Sequence, residues 1–512
     1  MSVQPAPTSD SAFDSTPSST SNSTSVPTSI SDSNSTLSST PDSTPSSTSR
    51  SNSTPKSGAY YPSWATADYA PSKLDFSQWD ILFYAPSSSN GVDLDSGDAS
   101  TLKSLVSAAH ASSNKTKVVL SIGGWGNCKY YSQIMGSSNS RDQFVDAVVQ
   151  TYNDYNLDGM LYQPVFGKDT RAKMELGIDI DWEFPNDGGA GDGQGKSPDD
   201  AANLLMFFQA LRAKLGNDAI ISAAVTDQPF KGPDGNPLSD VSDYAKVMTY
   251  VNLMNYDTVG ASSTPGPNAP LGDLCGTSTH KQSSAQAGLK QWTDANFPAN
   301  QLMLGLPLYG YVSKSSKTEL QERDVNSDGS DKGKGSSYLA RVLALGGKQY
   351  AVSDDVRDGN SVKSEREYSS GDDDLQAVFV NGVRAGQLDP SANQTAELAR
   401  SSGSGDLSQY MGQQIAFGDI VALGALQYSG GKFMAANGYT LARDNCSGDT
   451  PFLYDTSREA VVTYDDPTSL ALKAQFVASS GMAGAFTWSL DQDYGNYVLQ
   501  NAIRAALGLS AN

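Results

Sequence analysis

From residue 58 onward, apolar positions fall into two alternating rhythms. Short runs rich in β-branched and aromatic residues sit at 59–61, 81–84, 117–122, 178–183, 220–225, 250–254, 301–306 and 483–488. Between them lie longer stretches with apolar residues three and four apart, the spacing of a helix with one buried face. Leu204, Leu205, Phe208, Leu211 and Leu215 form one such stripe, with Ser197-Pro198-Asp199-Asp200 as its predicted cap and Gly216 as its stop. Phe144, Val148, Tyr152 and Tyr155 form another. Eight strand–helix repeats predict an α/β fold, a closed (β/α)8 barrel with parallel strands and helices outside. A long insertion, residues 312–464, separates the seventh and eighth strands. Its first two thirds are rich in Ser, Gly, Asp and Lys and read as mobile, whereas 425–428 and 460–464 read as strands on the top face.

The fourth strand is unusual. In Gly177-Ile178-Asp179-Ile180-Asp181-Trp182-Glu183-Phe184-Pro185, three acids spaced two apart share one face, and Ile178, Ile180 and Trp182 share the other. The apolar face needs helices to pack on, which turns the acids toward the barrel interior. Like charges in a buried row raise each other's pKa, an arrangement found where chemistry is done. Glu183, last in the row, is expected to open onto the C-terminal face of the barrel, where such enzymes keep their active sites.

Composition narrows the chemistry. Residues 1–57 are almost entirely Ser, Thr, Pro, Asn and Asp without apolar periodicity, so they are expected to form a disordered, O-glycosylated tail or linker. N-glycosylation sequons begin at Asn22, Asn34, Asn52, Asn114, Asn393 and Asn445. Such a stalk suggests secretion, yet Met1 is followed by neither a basic nor an apolar leader region, so either the start is incomplete or export is unconventional. With 56 acidic against 35 basic residues the net charge is −21, which argues against nucleic acid and anionic membranes and fits a neutral or cationic ligand. No run is long and apolar enough to span a bilayer. The two histidines, His110 and His280, stand in no triad or zinc motif, and His110 reads as a last-turn helix residue. No metal or cofactor is therefore expected. Cys128, Cys275 and Cys446 allow one disulfide, with three possible pairings. Carboxylates are left as the catalytic groups.

Residues from about 58 to 507 resemble the chitinases of glycoside hydrolase family 18 in their secreted fungal form. Besides the acid row, Ser121-Ile122-Gly123-Gly124-Trp125 is similar to the family's S-x-G-G signature, and Met254-Asn255-Tyr256-Asp257 to its M-x-Y-D motif. Trp488 and Tyr60 match its sugar-site tryptophan and first-strand tyrosine. The resemblance implies hydrolysis of β-1,4 bonds between N-acetylglucosamine units by substrate assistance, with retention. Glu183 is then the general acid, Asp181 the stabiliser of a cationic intermediate, Asp179 its tuner, and Tyr256 the holder of the substrate's acetamido group. Met254 and Asp257 shape the pocket, Trp488 and Trp125 stack on sugar faces, and Tyr60 is a further substrate-binding residue. The implied partner is chitin or its oligosaccharides, bound by a monomer. Two other readings are an endo-β-N-acetylglucosaminidase acting on N-glycans and a non-catalytic chitin-binding lectin; Glu183 speaks against the lectin.

Two departures stand out. Asn156-Leu157-Asp158 resembles the start of the family's fourth-strand motif, but the eighteen residues 159–176 separate it from Gly177. Their removal restores an unbroken motif, and their length and possible codons suit a retained short intron; a real loop at the bottom of the barrel is the alternative. Either way the acids keep their parity. In the second departure, Pro86 follows Ile81-Leu82-Phe83-Tyr84-Ala85 where the family carries a pocket aromatic, which puts that wall of the central subsite in question.

Overall fold

A computed structural model of the chain describes residues 54–87, 92–155, 176–189, 193–320 and 403–509. Eight parallel strands close into a barrel: β1 (Lys56–Pro62), β2 (Ile81–Ala85), β3 (Lys117–Gly123), β4 (Leu176–Asp181), β5 (Ile220–Val225), β6 (Tyr250–Leu253), β7 (Leu302–Pro307) and the last strand of the chain, Gly484–Trp488. β1 pairs with both β2 and the last strand, which completes the ring.

The alternation of side chains separates two cores. Leu82, Leu120, Ile178 and Ile180 face outward and pack with helix residues such as Leu105, Val148 and Phe207. Tyr60, Phe83, Val119, Met303 and Phe486 fill the interior. The largest aromatic and aliphatic groups are thereby removed from water on both sides of the strands, which is what a parallel barrel requires.

After β7 the chain turns at once into β8 (Tyr309–Lys314), the start of the insertion. There follow β9 (Gln414–Ala416), a hairpin of β10 (Leu426–Ser429) and β11 (Lys432–Ala435), then β12 (Thr440–Asp444), β13 (Thr450–Asp455) and β14 (Ala460–Thr463), before β15 (Gly484–Trp488) returns to the barrel. An antiparallel sheet of order β12-β13-β14-β8-β9 forms at the C-terminal end of the barrel strands. Cys275, on the loop after β6, pairs with Cys446, next to β12, across 171 residues of sequence, and ties this sheet to the barrel loops. Cys128 is free and buried.

Several expectations shift at their edges. Lys56 and Ser57, counted with the tail, belong to β1 and pair with Gly484 and Ala485, because the barrel needs a full-length first strand. The fourth strand ends at Asp181, so Glu183 stands just beyond it. The helix expected from Ser197 begins at Asp200 instead. The Asp200 carboxylate is spent on the Ser197 and Asn186 amides and the Ser132 hydroxyl, which fixes the loop before the helix. His110 lies in the last turn of helix Ser96–Ala111, as its position suggests. The Asn114 sequon is structurally engaged, its amide donating to Phe76 and Trp79 carbonyls at 3.0 and 2.6 Å. The tail up to residue 53, most of the split before β4, the polar part of the insertion from 321 to 402, and the sequons at 22, 34, 52 and 393 lie outside the described residues.

Candidate active site

Register places the first acid in a fixed cage. Asp179 on β4 stands opposite Ser121 of β3 and Ser222 of β5, so both hydroxyls reach it, at 2.9 and 2.7 Å. From across the barrel the Tyr60 hydroxyl donates at 2.8 Å and the Asn252 amide at 3.3 Å. Asp179 is fully buried, and burial raises its pKa despite these donors. Such a carboxyl is fixed in position and does not meet solvent.

Asp181, two residues on, is 7% exposed, and its Oδ1 has no hydrogen-bond partner. Burial first, then the charges of Glu183 and Asp179, push its pKa well above the carboxylate range. A buried acceptor without a donor costs free energy, and this one belongs to a residue that lines the cleft. The close approach of β3 makes this possible. Gly123 has φ +119°, and a Cβ there would lie 2.2 Å from the Asp181 carbonyl, which instead accepts the Gly124 amide at 2.7 Å. The Cys128 thiol adds a second tie to that carbonyl at 3.1 Å.

Glu183 is the acid that meets the cleft. Burial, followed by the charge of Asp257, lifts its pKa to about 7, partly offset by the Trp125 backbone amide. The peptide bonds after Glu183 and Trp488 are cis. Asp257, in the left-handed conformation at φ +59°, accepts the Tyr309 and Tyr311 hydroxyls on one oxygen at 2.5 and 2.7 Å. Tyr309 and Tyr311 belong to the inserted sheet, which therefore reaches the catalytic end.

The cleft occupies about 910 Å³, large enough for several sugar rings. Asp181, Glu183, Met254, Tyr256 and Asp257 line it, together with Tyr60, Trp125 and Trp488. Asp179 lies beneath. All nine residues singled out in the sequence are thus brought to one end of the barrel. Trp488 packs on Tyr60 with ring centroids 5.2 Å apart, and Trp125 is 63% exposed, a free aromatic face at the rim. Phe83 of β2 stacks under Tyr60 at 4.9 Å, so an aromatic supports this wall although Pro86 follows the strand.

Sequence reasoning missed Ser222, Asn252, Tyr309 and Tyr311. The first two were detectable as lone polar residues in otherwise apolar buried strands. Trp64, 59% exposed on the loop after β1, stands at the same barrel end as Glu183. Among the described residues no group of His, Cys, Asp and Glu could hold a metal ion.

The family model of glycosyl hydrolases family 18 matches residues 56–493. The chain belongs to this family. It is 28% identical over 454 residues to a chitinase-like effector of Moniliophthora roreri, covering 88% of this chain and 92% of that one. It is 24% identical over 400 residues to Chitinase A1 of Niallia circulans, covering 76% of this chain and 42% of that protein. Among solved structures, a chitinase from Rhizomucor miehei superposes with a TM-score of 0.61 at 25% identity, over 88% of this chain and 99% of that one. A chitinase from Cycas revoluta in complex with (GlcNAc)4, 15% identical with a TM-score of 0.56, shares the fold.

Proposed function

We propose that this family 18 protein is a chitinase that cleaves β-1,4 bonds between N-acetylglucosamine units by a substrate-assisted, retaining mechanism. One observation carries the reading: the unpartnered Asp181 Oδ1 is buried beside Glu183, whose pKa of about 7 suits a proton donor at neutral pH. Glu183 gives its proton to the glycosidic oxygen as that bond breaks. The oxygen of the substrate's own acetamido group bonds to the anomeric carbon, forming a cyclic oxazolinium ion. Asp181, passing its proton to Asp179 and accepting the acetamido N–H as a carboxylate, stabilises the positive ring. Tyr256 holds the acetamido group in reach of the anomeric carbon, and water then opens the ring as Glu183 takes back a proton. Trp125 and Trp488 offer sugar faces large apolar area. The organisation that goes with this reading is a tail ahead of one catalytic domain, in a secreted monomer.

A non-catalytic chitin-binding reading is favoured by one fact, that relatives across nearly the full chain are named chitinase-like effectors. The retained Glu183 opposes it. Incubation with colloidal chitin and, separately, with an N-glycosylated protein tests the substrate class. Release of soluble N-acetylglucosamine oligomers from chitin supports the proposal. Release of glycan only from the glycoprotein replaces it with an endo-β-N-acetylglucosaminidase, and binding without release replaces it with a lectin.

A further inference from the structure

Asp257 and Tyr309 lie on different elements, the loop after β6 and the start of β8, yet one side chain is bonded to the backbone of both. Asn268 is fully buried. Its Oδ1 accepts the Asp257 amide at 2.9 Å, and its Nδ2 donates to the Tyr309 carbonyl at 3.2 Å. Its own carbonyl accepts the Thr258 amide at 3.0 Å, so the loop from 257 to 268 is closed at its base. Further out the same loop is fastened to β8. The Ser262 amide donates to the Ser313 hydroxyl and the Ser315 hydroxyl to the Ser263 carbonyl, each at 3.1 Å. Asp257 and Tyr309 are thus joined twice, once by carboxylate and hydroxyl and once through Asn268.

The two backbone partners of Asn268 differ in kind. One is an N–H and the other a C=O, and a single carboxamide answers both at once. Asp in its place lacks the donor, and Leu, of similar volume, lacks both groups. Buried backbone groups are nearly always paired, so loss of the amide forces the loop to move or admits water. Asp257 also stands in the left-handed conformation, at φ +59°, which a residue with a Cβ adopts where its surroundings hold it there.

We propose that Asn268 is a positioning residue: by joining the Asp257 amide to the Tyr309 carbonyl it sets the place of the Asp257 carboxylate in the cleft, and through it the readiness of Glu183 to donate. This rests on the chitinase reading, in which Glu183 gives the proton. Among the described residues the titratable groups that face Glu183 are Asp181, Cys128 from the loop after β3, and Tyr256 and Asp257 after β6. Of these four, Asp257 is the one that Asn268 holds.

The test is a double-mutant cycle on the full chain: wild type, Asn268→Ala, Asp257→Asn and the pair. Each is assayed for kcat/KM on a chromogenic N-acetylglucosamine oligomer across pH, well below its unfolding temperature. In the chain that keeps Asp257, Asn268→Ala is expected to lower kcat/KM about tenfold and to move the alkaline limb to lower pH, toward that of Asp257→Asn. In the Asp257→Asn background it is expected to cost less than about twofold and to leave the limb in place, because the charge it would displace is gone. A role confined to stability gives the same loss in both backgrounds. That result, or an unmoved limb in the single variant, overturns the assignment. Tyr309→Phe supplies an arm that does not require an Asn268 variant to fold, since it removes the hydroxyl bond and keeps the amide clamp. Its alkaline limb is expected to stay near that of the wild type, and a shift as large as that of Asp257→Asn overturns the clamp as what places the acid. A wild-type chain that binds the oligomer without hydrolysing it overturns the chitinase reading and this role with it, whereas additive losses in an active chain overturn the role alone.

Discussion

Tyr311 donates its hydroxyl to Asp257 at 2.7 Å and accepts the Gln414 amide at 2.9 Å, so the inserted sheet holds the acid whose charge bears on Glu183. A negative neighbour favours the protonated form of Glu183, which is the form that donates in the proposed reaction. Replacing Asp257 with Asn removes that charge and lowers the Glu183 pKa from about 7. The alkaline limb of the kcat/KM profile is expected to move to lower pH by about half to one unit. A profile whose alkaline limb stays in place or moves upward contradicts the assignment.

Asp179 gathers the hydroxyls of Tyr60, Ser121 and Ser222 and the Asn252 amide. Asp179→Ala strands these buried donors. Urea denaturation is expected to show a loss of about 2–4 kcal/mol, together with weakened hydrolysis because Asp181 loses its neighbour. Unchanged stability would show that water or repacking satisfies the cage.

The Cys275–Cys446 bond closes a loop of 171 residues between the β6 loop and the inserted sheet. Replacing both cysteines with Ser is expected to lower stability by about 2–4 kcal/mol, mainly by freeing the unfolded chain. Thermal unfolding of the oxidised wild type beside the double variant measures it, and coincident curves would contradict it.

What the sequence disclosed, and what it did not, follows from the range of the interactions. Asp179, Asp181 and Glu183 were legible because strand alternation is local: two residues fix the face. The outward Ile178 and Ile180 then told which side carried helices. Ser222 and Asn252 were not legible as partners, since they meet Asp179 only once the barrel has closed. The same holds for Tyr311, whose hydrogen bond to Asp257 spans 54 residues. Cys275 and Cys446 could not be paired by counting. Element edges slipped where tertiary contacts overrode local signals, as at Lys56, recruited into β1, and at Ser197, which gave up the cap.

Helix Ser138–Tyr155 ends shortly before the split, and β4 starts at Leu176, opposite Val118. Without residues 159–176, Asp158 takes the register position of Leu176, and Asn156-Leu157 remain as a helix-to-strand connection of ordinary length. The shortened chain is expected to keep the catalytic row, express in higher yield and melt at higher temperature. A shortened chain that fails to fold would establish residues 159–176 as a genuine structural loop, as would a mature transcript that retains their codons.

The most direct test of the central claim is hydrolysis of a chromogenic N-acetylglucosamine oligomer by the wild-type chain and by Glu183→Gln, with binding of the same oligomer measured in parallel. Turnover by the wild type, a loss of at least about 100-fold in the variant, and comparable binding by both are the predicted result. Equal hydrolysis by the two proteins, or binding by the wild type without any hydrolysis, would contradict the role given to Glu183.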